Sequence, residues 1–149
     1  MRHTFLVVDS QPADLEAVVR QLKLVGPGAE VLTAPSAEAA LALLEEQRIV
    51  PSMIFVDYHL PGMNGIEMLG EVRHRRWLER APVAMLSQPV ADKVVVTSYR
   101  LGACAFLSKP ARPHELRETV RDFAIQPVRM NAATQVPGTP GLVRRSAAA

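Results

Sequence analysis

Four polar residues share one setting in this sequence, since each closes a short apolar run. Asp9 ends "FLVVD", Asp57 ends "MIFVD", Ser87 ends "VAMLS", and Lys109 follows "AFLS". Two carboxylates, a hydroxyl and an ammonium form a set suited to an anion held beside a hard cation. Carboxylate and carbonyl oxygens are ligands of the kind Mg²⁺ takes, commonly together with a phosphate. A hydroxyl and an ammonium donate to phosphoryl oxygens. An Asp can also act as the nucleophile and form an aspartyl phosphate, with nearby cations offsetting the charge that develops. Asp57 is the best nucleophile of the set because it closes "MIFVD" in the central strand, whose apolar residues run continuously as in a strand covered on both faces. Taken singly, each residue has a plainer use: an Asp caps a turn, a Ser bonds backbone, a Lys stays in solvent. Four of them at corresponding strand ends is a pattern those separate uses do not explain.

The elements that position them alternate regularly. "TFLVVD", "EVLTAP", "SMIFVDY", "APVAMLS" and "ACAFLS" read as strands. Between and after them, "ADLEAVVRQLKLVG", "SAEAALALLEEQR", "IEMLGEVRHRRWL", "ADKVVVTSYRLG" and "HELRETVRDFAIQ" read as helices. Gly26-Pro27-Gly28 closes the first helix, Ser36 is the expected N-cap of the second, and "PGMNG" breaks the chain before the third. The fourth helix runs against local preference, since Val94, Val95, Val96 and Thr97 are β-branched. Five strands alternating with five helices predict an α/β fold, with right-handed crossovers and a parallel sheet between helical layers. In such a sheet, ligands collect at the carboxyl ends of the strands, where Asp9, Asp57, Ser87 and Lys109 fall.

Composition narrows the classes. A chain of 149 residues, 48% hydrophobic and 21% charged, suits one compact domain with a substantial core. No apolar run approaches the roughly 20 residues needed to span a bilayer, and Asp9 interrupts the short N-terminal run that a signal peptide would need. The single cysteine, Cys104 in "GACAFL", fits a small core residue in a reducing cytoplasm. Residues 1–126 carry 14 Lys/Arg and 15 Asp/Glu, a net of −1, whereas residues 127–149 carry three Arg and no acid, a net of +3. The Pro, Gly, Thr and Ala content of that last segment predicts a flexible tail or linker. The basic stretch "RHRRWLER" contains an aromatic, but Glu71 and Glu79 dilute its charge, which points away from nucleic acid as a partner. His3, His59, His74 and His114 have no zinc-ligand spacing, and "DSQPAD" lacks the glycines of a nucleotide loop.

Two longer motifs carry a resemblance. "FVDYHLPGMNG" is similar to the phosphoacceptor strand, turn and helix start of the receiver domains of bacterial two-component response regulators, and "GACAFLSKP" to their fifth strand with its Lys-Pro. The resemblance covers residue 4 to about residue 126. It implies a flavodoxin-like, doubly wound, five-stranded parallel sheet of order 2-1-3-4-5. It also implies that Asp57 is the phosphoacceptor, Lys109 the phosphate-contacting cation, Ser87 the hydroxyl that swings toward the phosphate, and Phe106 the aromatic that changes rotamer with it. Mg²⁺ would be held by Asp9, Asp57 and the backbone carbonyl of His59, and Lys109-Pro110 would be cis. The side chain of His59, two residues beyond Asp57, could gate water, although its backbone carbonyl is the simpler contribution.

Two departures from that family pattern bear on function. The family usually ends its first strand with two adjacent acids, whereas here Asp9 is followed by Ser10, a neutral and poorer Mg²⁺ ligand. After Ser87 the family prefers a small residue, and this chain has Gln88 and then Pro89. Two functions therefore remain open. One is a switch phosphorylated on Asp57 by a sensor histidine kinase or phosphotransfer protein, changing its contacts with a downstream protein or output domain through the face of the fourth helix, fifth strand and fifth helix. The other is a degenerate receiver serving as a phosphorylation-independent interaction module. Neither is an enzyme beyond assisting its own phosphorylation and dephosphorylation. A homodimer through the fourth-helix face is compatible with both, as are a single-domain regulator and a receiver cut from a longer chain.

Overall fold

The protein is described here as a computed structural model over residues 2–125, with a further strand at residues 144–145. Strands β1 (Thr4–Val8), β2 (Glu30–Ala34), β3 (Met53–Val56), β4 (Val83–Ser87) and β5 (Ala105–Ser108) alternate with helices α1 (Pro12–Val25), α2 (Ala37–Gln47), α3 (Gly65–His74), α4 (Asp92–Arg100) and α5 (Pro113–Val120). The sheet is parallel throughout, in the order β2-β1-β3-β4-β5, and a two-residue strand β6 (Arg144–Arg145) pairs outside β5. The five expected strands are thus found in the expected order. β6 was not foreseen, because its segment carries no strand-like apolar pattern; the rest of the expected tail over residues 127–149 lies outside the described residues.

Period-two alternation divides the strands between two cores. Leu6, Val8, Ile54, Val56 and Met85 face one helical layer, packing with residues of α2, α3 and α4. Phe5, Val7, Phe55, Ala84 and Leu86 face the other, packing with residues of α1 and α5. β3, like β4, is buried along its whole length, so the strand that leads to Asp57 is held on both faces.

Local signals start α2 and α3 where the sequence indicates, whereas α3 ends at His74, short of the expected Leu78, with a separate 3-10 turn over Arg76–Leu78. The Ser36 hydroxyl accepts from Ala39 N at 3.1 Å, and Asn64 and Glu67 form a reciprocal capping box at the start of α3. The β-branched α4 is helical because packing overrides propensity: Val95 and Tyr99 are buried against the sheet. The hydroxyls of Thr97 and Ser98 also fold back onto the carbonyls of Lys93 and Val94. α5 stops at Val120 and continues as a π-helical turn, Arg121–Ile125. In the basic stretch, Arg73 turns inward and donates to the carbonyls of Ala81 and Gly102 at 2.8 Å each, while Arg75 is held by Glu45 and Glu71. Arg73 is thus drawn into the fold, and Arg75 is neutralised by surface glutamates.

Gly65 is the closest backbone approach to the candidate site. Its N–H donates to the Tyr58 carbonyl at 3.0 Å, and a Cβ placed on it would lie 2.4 Å from the Asp57 carbonyl oxygen and 2.8 Å from the Tyr58 Cα. Gly65→Ala should therefore destabilise the fold by about 1–3 kcal/mol, the usual cost of overpacking. Urea unfolding checks this, and an unchanged midpoint would contradict it.

Candidate functional site

The sheet ladder continues one residue beyond three of its strands, and this aligns the site. Asp9 N donates to Ala34 O at 3.1 Å, Asp57 N to Val8 O at 3.0 Å, and Lys109 N to Ser87 O at 2.9 Å. Asp9, Asp57, Ser87 and Lys109 thus sit together at the carboxyl edge, as the strand ends predict.

Asp9 and Asp57 divide their oxygens in the same way. Oδ1 of each holds its own turn, accepting from Gln11 N at 2.9 Å and from His59 N at 3.0 Å respectively. Oδ2 of each accepts from Lys109 Nζ, at 2.5 Å for Asp9 and 2.8 Å for Asp57. The third acceptor is Asp14 Oδ2 at 3.0 Å. The ammonium is thereby bound to three carboxylates, with its side chain only 5% exposed.

Asp14 is the residue that sequence reasoning missed. It lies in the first turn of α1, where the exposed N–H groups and helix dipole favour an anion. The usable signal was its position: α1 opens at the same sheet edge where β1 delivers Asp9, so an acid in its first turn faces the same space. Ser10, by contrast, is half-buried and is not among the groups bonded to Lys109.

The remaining candidates are placed as follows. Ser87 is buried, and its hydroxyl has no hydrogen-bond partner. Phe106 is buried in the same core as Val95 and Tyr99 of α4. His59 is exposed, its ring edge-on to Tyr58 at 5.0 Å, and its backbone N–H holds Asp57. The loop after Asp57 is tied to α2 through Met63 N, which donates to Glu38 Oε2 at 2.9 Å and draws the Glu38 carboxyl below its ordinary range. Gln88 is exposed, and Lys109-Pro110 is cis as expected. Among the described residues, no group of three or more His, Cys, Asp or Glu side chains is arranged to hold a metal ion. The three carboxylates are turned toward an ammonium instead.

The electrostatics follow from that arrangement. Burial alone would lower the Lys109 pKa, but the bonds to Asp57, Asp9 and Asp14 outweigh it and raise the value above the ordinary 10.5. Burial raises the Asp9 pKa above 3.8, against the lowering effect of Lys109 and Gln11 N, and the neighbouring Asp57 charge adds to the rise.

A doubly wound parallel sheet with an Asp–Lys pocket at its carboxyl edge defines the receiver class of signalling folds. The chain belongs to the response regulator receiver domain family, whose sequence profile matches residues 5–121. It is 34% identical over 122 residues to the sensory/regulatory protein RpfC of Xanthomonas campestris, covering 80% of this chain and 16% of that protein. The chain thus spans about a sixth of that relative's length. Among solved structures it is similar to a putative response regulator from Chloroflexus aurantiacus, with 29% identity, a TM-score of 0.74, and coverage of 81% of this chain and 96% of that one. It is also similar to the Mn²⁺-bound form of the response regulator Rcp1, with 27% identity, a TM-score of 0.71, and coverage of 87% and 99%.

The raised Asp9 pKa yields a signed expectation. An acid whose folded pKa exceeds its unfolded value costs stability when ionised, and that cost disappears as pH falls through the folded pKa. Asp9→Asn keeps the carbonyl that accepts from Gln11 N, loses the acceptor for Lys109 Nζ and cannot ionise, so its melting temperature relative to wild type should be highest at neutral pH. The difference should move against the variant as pH falls toward 3.8. Thermal melts of both proteins across that range check the sign; a difference that moves in the variant's favour on acidification would contradict it.

Proposed function

We propose that the chain is a phosphorylation-controlled signalling switch with Asp57 as phosphoacceptor. The observation that carries this reading is the 2.8 Å contact of Lys109 Nζ with Asp57 Oδ2, one strand away from a buried Ser87 hydroxyl without a partner. A carboxylate beside a fixed ammonium and a spare hydroxyl is what an incoming phosphoryl group requires.

An Asp57 carboxylate oxygen attacks phosphorus, forming an O–P bond. The bond from phosphorus to the donor breaks, and its electron pair leaves with the donor, a histidine of a sensor kinase or phosphotransfer protein. Lys109 donates to one phosphoryl oxygen and Ser87 to another. Movement of Ser87 opens space for Phe106 to change rotamer, which alters the face formed by α4, β5 and α5 and so its affinity for a downstream protein or output domain. This is a population shift between two packings, driven by one added charge cluster. Asp9, Asp57 and the His59 carbonyl offer the hard oxygen donors that would hold Mg²⁺, which when bound offsets charge on the phosphoryl group. Ser10 adds no charge to that donor set, so affinity should be low. Residues 1–126 form the switch unit, and the composition of residues 127–149 supports a linker or tail, the Arg144–Arg145 strand apart. The lone buried Cys104 supports a reducing cytoplasm.

Intact-mass measurement after incubation with a small phosphodonor tests the reading. A phosphate-sized gain is expected, larger with Mg²⁺ than without and absent in Asp57→Asn. No gain in folded wild-type protein at any Mg²⁺ concentration would reject the switch in favour of the phosphorylation-independent interaction module.

A further inference from the structure

An ammonium has three N–H donors, and in Lys109 all three are taken, by Asp9, Asp57 and Asp14. To meet a phosphoryl oxygen, Lys109 must release one acceptor. The three are not equally easy to give up. Asp9 and Asp57 are each 4% exposed, and a carboxylate left uncompensated at such depth is costly. The Asp14 side chain is 38% exposed, so water can solvate it once released. It also lies in the first turn of α1, where the helix N-terminus stabilises a free carboxylate. Its contact with Lys109 is the longest of the three, at 3.0 Å against 2.8 and 2.5 Å.

We propose that Asp14 is a latch on the phosphorylation site, a positioning residue that holds Lys109 at rest and is exchanged for a phosphoryl oxygen when Asp57 is phosphorylated. The inference rests on the proposed role of Asp57. It assigns to this chain an acid on α1 whose charge opposes phosphoryl entry twice. At rest Asp14 occupies the third N–H of Lys109; once released, it is a carboxylate close to an anionic group. Three carboxylates against one ammonium already leave two negative charges uncompensated at the edge, so removing the most accessible of them favours the incoming anion. The latch also joins α1 to the β5–α5 connection, so its opening loosens a bridge between two elements on the same side of the sheet.

The test uses the full chain, its Asp14→Asn variant, which keeps the shape and a carbonyl acceptor while losing the charge, and Asp14→Ala. Two readouts are needed. The first is the initial rate of phosphorylation by acetyl phosphate in Mg²⁺, followed by intact mass. Both variants should react about two- to fivefold faster than wild type, the range that loss of one half-exposed ion pair allows. Added salt should speed the wild type more than the variants, because part of the charge it screens is absent from them. The second is acylation of Lys109 by acetic anhydride, mapped by peptide mass, with no phosphodonor present. Lys109 should react faster in both variants than in wild type, at unchanged melting temperature for Asp14→Asn. Variants that phosphorylate at or below the wild-type rate, or a Lys109 equally shielded without Asp14, would overturn the latch. If no protein gains phosphate, the switch reading fails by itself, and acylation still decides whether Asp14 holds Lys109. If Asp14→Ala does not fold, Asp14→Asn alone carries both decisions.

Discussion

The arrangement of the whole carboxyl edge depends on one buried ammonium. Lys109 Nζ is the only cation bonded to Asp9, Asp14 and Asp57 among the described residues, and without it Asp9 and Asp57 would be buried charges with no counterion. Each of those two aspartates reserves one oxygen for its own turn, so Lys109 links the turn after β1 to the turn after β3 while its own backbone bonds β4. A single side chain therefore joins three crossover connections of the sheet to one charged centre. It is a centre that a new anion can reorganise.

The surrounding fold serves to keep that centre in register. The fully buried β3 brings Asp57 to the edge, and Gly65 allows α3 to begin directly behind it. Glu38 reaches from α2 to fasten the loop that follows. α4 is helical through packing rather than propensity, and it shares its core with Phe106. A rigid charged edge beside an element with weak local preference is a combination suited to a two-state response.

Much of this was legible in the sequence because it depends on local pattern. Continuous apolar runs marked β3 and β4, the break at "PGMNG" marked the start of α3, and polar residues at strand ends marked Asp9, Asp57, Ser87 and Lys109 as neighbours. What could not be read was the partnership between elements distant in the chain. Asp14 and Lys109 are 95 residues apart, and no spacing rule joins them. The same limit applies to Arg73, which reads as part of a basic surface stretch but is drawn inward by the carbonyls of Ala81 and Gly102. Nor did composition mark the Arg144–Arg145 strand, whose segment carries no strand-like apolar pattern and which pairs along the outer edge of β5.

The most direct test of this account is the protonation and exchange of the Lys109 ammonium, observed by proton–nitrogen correlation with Lys109→Arg for assignment. Bound by three carboxylates, the ammonium protons should exchange slowly enough to be seen near neutral pH, and the group should remain protonated beyond 10.5, the ordinary lysine value. An ammonium that exchanges like a surface lysine and titrates at or below that value would contradict the central claim that Lys109 holds the site together.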